Sequence, residues 1–145
     1  MSTTDNEKPC PKIEHNMNNK ELAVTSPDQA EAPAAGGDQR ASRIRELNDR
    51  LRSEGRGGII HMTNGIAALG LPTVNAMFQA IAVFDAFTPD NDPWSEHDCA
   101  VMEVEGNRVI WKIDYYDRSR TYLSTDPSDP KVTVRVMTVM LAEEY

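Results

Sequence analysis

Apolar positions in this chain repeat with two periods, and the switches between them mark the elements. Ile44, Leu47 and Leu51 fall at i, i+3 and i+7 among arginines and acids, which predicts an amphipathic helix with one narrow apolar stripe. Asp38 can cap it near Gln39, and Gly55 followed by Gly57-Gly58 stops it. Gly58 to Thr63 is rich in branched apolar residues and reads as a short strand closed by the Asn64-Gly65 turn. After a short apolar link over 66–69, Pro72 opens a second helix. Its apolar residues Val74, Met77, Phe78, Ile81 and Phe84 recur at helical spacing up to about Ala86.

Pro89 and Pro93 keep 87–95 out of regular structure. Two alternating runs then meet at Glu105-Gly106-Asn107, the signature of a hairpin. With Gly106-Asn107 as the turn, Asp98, Ala100, Met102 and Val104 share a face with Val109, Trp111, Ile113 and Tyr115. His97, Cys99, Val101, Glu103 and Glu105 share the other with Arg108, Ile110, Lys112, Asp114 and Tyr116. A register slip of two residues leaves both faces unchanged. The last stretch, 131–144, fits two periods. Val132, Val134, Val136, Thr138 and Met140 alternate like a strand, while Val132, Val136, Val139 and Met140 suit a helix. Asp129-Pro130 as N-cap and N1 favours the helix. The expected fold is therefore α+β in the order α-β-α-β-β-α. A small three-stranded, mostly antiparallel sheet carries helices on one face.

Composition divides the chain. Residues 1–38 hold none of the three Phe, four Tyr or two Trp and include runs such as Ala-Pro-Ala-Ala-Gly-Gly. Such a segment buries too little apolar surface to offset its ordering entropy, so 1–38 is expected to be a disordered acidic tail and 39–145 a single domain. The net charge is −8, with the basic excess confined to Arg40, Arg43, Arg45, Arg50, Arg52 and Arg56 of the first helix. One basic helix on an acidic body argues against nucleic acid as a partner. The two cysteines, Cys10 and Cys99, are far apart in the chain and lack ligand spacing. That disfavours a disulfide framework and favours a reducing compartment. With no signal-like segment and no long apolar run, the cytoplasm is the expected location and no membrane association is expected.

Most of the candidate chemistry lies in 87–117. Asp90, Asp92, Glu96 and Asp98, with His97 among them, could offer hard oxygen ligands to calcium, magnesium or manganese. Pro93 after Asp92 rules out an EF-hand loop, and Asp and Asn beside prolines ordinarily cap turns. His97 with Asp114 is the candidate acid–base pair. Cys99 is two residues along the strand from His97, about 7 Å away, too far to be activated by it. Asp90, Asp92, Trp94, Glu96, His97, Asp98, Lys112, Asp114 and Tyr116 together form a candidate binding surface; tryptophan is a residue type enriched at such contacts, and a local plug over the core is an equal reading of Trp94. No phosphate-binding glycine loop, dinucleotide fingerprint or zinc spacing is present, so no cofactor is expected. The preferred function is a non-catalytic binding or accessory module with a protein partner. The alternative is a metal-assisted or acid–base enzyme built on 90–98 and the hairpin.

Several strings carry a resemblance over about 40–145. They are Gly-Ile-Ala-Ala-Leu-Gly (65–70), Phe-Thr-Pro-Asp-Asn-Asp-Pro (87–93), Glu-His-Asp (96–98), Trp-Lys-Ile-Asp-Tyr-Tyr-Asp (111–117) and the Met-Leu-Ala-Glu-Glu-Tyr end. They resemble domain-of-unknown-function family 3768, small alphaproteobacterial proteins often found on plasmids. The resemblance implies a bacterial, cytoplasmic protein that could belong to a mobile element, and implies no activity.

Overall fold

A computed structural model describes residues 34–145, with side chains from Asp38 onward. Of the expected disordered tail over 1–38, residues 1–33 lie outside the described residues, and 34–38 belong to a helix. The first helix, α1, runs Ala34–Glu54 and so begins ahead of the expected Asp38 cap. It ends where Gly55, at φ 71°, donates its N–H to Leu51 O, a left-handed helix stop. The chain then forms β1 (Ile59–Met62), α2 (Asn64–Ala67), α3 (Leu71–Val83), β2 (Cys99–Val104), β3 (Asn107–Tyr116) and β4 (Val134–Leu141), and closes on a single 3-10 turn, Ala142–Glu144.

The sheet has four strands, not three, in the order β1-β4-β3-β2. The hairpin β2–β3 and the pair β3–β4 are antiparallel, while β1 joins β4 in parallel, so the sheet is mixed. The expected terminal helix is a strand. Asp129 does not start a helix: its Oδ1 accepts from Lys131 N and its O from Val132 N, closing a turn. The branched run that follows then pairs on both sides, with β1 and β3.

The hairpin pairs Met102 with Val109 and Ala100 with Trp111, two residues displaced from a Gly106-Asn107 turn, and the faces survive as expected. On the inner face Val109, Trp111, Ile113, Met137 and Val139 are completely buried under Ile44 and Leu51 of α1, Ile66 of α2 and Val74, Met77 and Ile81 of α3. Trp111 is the largest of these side chains and packs edge-on to Phe84 and Phe87. Gly58 leads into β1 where the chain passes close to its neighbours. A Cβ there would lie 2.6 Å from Arg135 O and 2.8 Å from a Leu51 methyl. The outer face carries a second, smaller cluster, Cys99, Ile110 and Met140. The expectation that no disulfide framework is present involves Cys10, which lies outside the described residues.

Candidate functional site

Between α3 and β2 the chain makes an irregular loop, 84–98, folded back against α1. Asn91 Oδ1 accepts from Thr88 N, and Asn91 Nδ2 donates to Ala86 O, which shapes the first half. Asp92 shapes the second. Its Oδ1 accepts from Glu96 N at 3.0 Å and from His97 N at 3.1 Å. These bonds hold Ser95 and His97 at φ 56°, in the left-handed region that non-glycine residues avoid. Each such residue costs of order 1–3 kcal/mol and persists where its surroundings over-determine it.

Helix α1 supplies that over-determination. Arg45 Nη1 donates to Ser95 O at 2.7 Å, and Asn48 Nδ2 donates to Glu96 O at 2.9 Å. Asp49 accepts from His97 Nδ1 at 3.0 Å and from Arg52 Nη2 at 2.7 Å. The His97 ring lies flat on Phe87, 3.8 Å between centroids. Its Nε2 is 3.8 Å from Asp92 Oδ2, so the imidazole sits between two carboxylates. Arg52 in turn donates to Ile81 O and Phe84 O, capping the exposed carbonyls at the end of α3, and lies over the Phe87 and Trp111 rings.

Beneath the loop is a buried polar network. Asn48 is fully buried and uses its whole amide: Nδ2 also donates to Tyr115 Oη, and Oδ1 accepts from Arg135 Nε at 2.7 Å. Tyr115 donates to Glu96 Oε1 at 2.8 Å, and Arg135 Nη2 donates to Pro127 O. Burial, then the charges of Glu96 and Asp98, push the Tyr115 hydroxyl well above its ordinary range, so it stays a donor. Burial lowers the Arg135 pKa, against the attraction of Tyr115 and Glu96. Burial also raises the Asp92 carboxyl to about 6; the backbone bond from His97 works against this and the charge of Asp98 adds to it.

The candidate residues thus separate into two groups. Asp92, Glu96, His97 and Asp98 converge on the inner side of the sheet, with Asp90 and Trp94 exposed at the rim of the same loop. Lys112, Asp114 and Tyr116 lie on the outer face, where Lys112 Nζ holds Asp114 Oδ2 at 2.8 Å. The expected His97–Asp114 pair is not formed. The positive φ at His97 turns its ring inward, off the face predicted by strand alternation, and its carboxylate partners are Asp49 and Asp92. As for a cation, Asp92 and Glu96 are engaged as internal acceptors, and among the described residues no group of three or more His, Cys, Asp or Glu is placed to hold a metal ion. Sequence reasoning missed Arg45, Asn48, Asp49, Arg52 and Arg135. One signal was available: Asn48 falls at i+4 from Ile44 and i−3 from Leu51, inside the apolar stripe, where a polar residue needs a buried partner.

The geometry defines a two-layer α+β domain, a mixed four-stranded sheet with helices on one face and a loop clamped to the first helix. Residues 62–144 match the model of the family described as Protein of unknown function (DUF3768), and the chain belongs to that family. No curated protein and no solved structure matches it.

Proposed function

We propose that the chain is a non-catalytic binding module that engages a protein partner where α1 meets the 88–98 loop. One observation carries this reading. The bond from Arg45 to Ser95 O joins the arginine-rich face of the helix to the loop that presents Trp94, making one continuous surface. Trp94 is 37% exposed, between residues whose backbones are fixed by Asp92 and α1. An aromatic side chain held in place before binding loses little entropy on contact, and such residues dominate interface energetics. Around it, Ser42, Arg45, Glu46, Asp49, Arg50, Ser53 and Glu54 line a shallow open groove along α1. Asp90, Trp94 and His97 belong to this surface, and Lys112, Asp114 and Tyr116 do not. The exposed arginines Arg40, Arg43, Arg50 and Arg56 favour an acidic partner.

The buried acids support the same reading, because their carboxylates serve the loop's own backbone and Tyr115. The resemblance in sequence supports a bacterial, cytoplasmic accessory role, with carriage on a plasmid or other mobile element as part of the proposal. The test is retention of partner proteins from a cell extract on immobilised wild type, Trp94→Ala and Arg50→Glu. A species held by the wild type and lost from both variants, with melting temperatures unchanged, supports the surface. Equal retention by all three contradicts it.

A further inference from the structure

The sheet ends on one side at β1, whose one strand neighbour among the described residues is β4. Thr63 N donates to Val139 O, and backbone direction alternates along a parallel strand. Ile59 and His61 therefore turn their N–H and C=O groups toward β4 as Thr63 does, and Ile60 and Met62 turn theirs outward. The side chains of Ile60 and Met62 stand opposite Met137 and Val139, on the inner face, yet they are 37% and 45% exposed. Outward-facing backbone groups beside exposed apolar side chains are what a sheet edge offers to another strand. An outer strand is commonly protected by a charge or a proline, and β2 at the opposite border has the exposed Glu103. Strand β1, Ile-Ile-His-Met, has no acid, lysine, arginine or proline.

This edge is complementary to itself. Take a two-fold axis through His61, perpendicular to the sheet. Antiparallel pairing then sets Ile60 opposite Met62 of a second copy, and Met62 opposite its Ile60. Both pairs use the outward-facing backbone groups, so each exchanges two N–H···O bonds, and the apolar side chains meet on one face. His61 meets the second copy's His61 as the closely spaced, non-hydrogen-bonded pair between them. An axis through Ile60 would instead pair Met62 with Gly58, where the backbone bends. Charge agrees with the antiparallel direction. Exposed Arg56 precedes β1, and exposed Glu144 sits at its far end, accepting from Thr63 Oγ1 and Gly65 N. Two antiparallel copies bring each Arg56 end to the other's Glu144 end.

We propose that β1 is a dimerisation edge: two copies of the chain pair their β1 strands antiparallel about His61 and join their four-stranded sheets into one continuous sheet. The pairing is short, four residues from each copy, and so falls below the roughly 1,200 Å² of buried surface at which stable complexes begin. The dimer is therefore in reversible, concentration-dependent equilibrium with the monomer. No β1 residue belongs to the α1–loop surface, so either proposal can fail without the other.

The test is sedimentation equilibrium of the full chain at pH 7.5 over a range of concentrations. Wild type, His61→Lys, His61→Glu and an equimolar mixture of the two variants are compared. His61 is exposed, so neither change disturbs the core. Like charges directly opposite across a strand pair are destabilising, and opposite charges are favourable. The expected result is a monomer–dimer equilibrium for the wild type, several-fold weaker in each variant alone, and a mixture that dimerises more strongly than either variant. A wild type that stays monomeric at every concentration would overturn the proposal. So would equal dimerisation of wild type and both variants, or a mixture no stronger than its components, since either places the two-fold axis away from His61.

Discussion

Replacing Asp92 by Asn separates the two tasks of this carboxylate. Oδ1 receives the Glu96 and His97 N–H groups at 3.0 and 3.1 Å, and an amide oxygen can accept both. What the substitution removes is ionisation. Burial raises the pKa from 3.8 to about 6, so the folded protein binds a proton that the unfolded chain has already released. A raised pKa contributes stability that is complete below about 4 and is lost as pH rises through about 6. The shift corresponds to at most about 3 kcal/mol. Urea unfolding of both proteins at pH 4.5 and 7.5 measures it, taken as the stability of the variant minus that of the wild type. Asp98 and His97 face Asp92 and are the same in both proteins. The difference should rise by about 2 kcal/mol between the two pH values. A difference independent of pH, or one that falls with pH, would refute the assignment of a carboxylate destabilised by burial.

Three other outcomes follow from the packing and the site. Trp111→Ala should cost about 3–5 kcal/mol by denaturant unfolding, since the indole is fully buried at the centre of the inner face; a loss below about 1 kcal/mol would invert the face assignment. Gly58→Ala should cost about 1–3 kcal/mol, because the added methyl meets the Arg135 carbonyl oxygen and Leu51, and a neutral result would contradict the close approach of β1 to β4. Calcium, magnesium and manganese should leave the melting temperature unchanged. A metal-dependent rise that disappears in Asp92→Asn and Asp98→Asn would restore the metal-site alternative.

Local pattern revealed more of this fold than long-range pairing did. The hairpin faces were legible because alternation survives a two-residue slip, and Trp111 and Ile113 fell on the buried side in either register. Strand β4 was misread because the inner position 135 is an arginine and the outer positions 134, 136 and 140 are apolar, so neither face looked like the core. Its parallel partner β1 is over seventy residues away, and nothing local marks the pairing. At the site, the loop acids were conspicuous, but strand alternation pointed His97 to the wrong face because it assumed extended backbone where φ is 56°. The α1 contribution stayed hidden because Arg45, Asp49 and Arg52 look like ordinary surface charges in a helical repeat. Only the folded loop turns them into ligands for its carbonyls, imidazole and helix end.

The claim that the 88–98 loop is held rigid to present Trp94 is tested most directly by site-resolved amide hydrogen exchange. Glu96 and His97 N–H groups are both bonded to Asp92 Oδ1, beneath a helix that also holds Ser95 O and Glu96 O. Their exchange should be slowed to rates comparable with those of the β2–β3 ladder, and Arg45→Ala should accelerate it without changing exchange in β4. Exchange of both amides at the rate of an unstructured peptide in the wild type would contradict it.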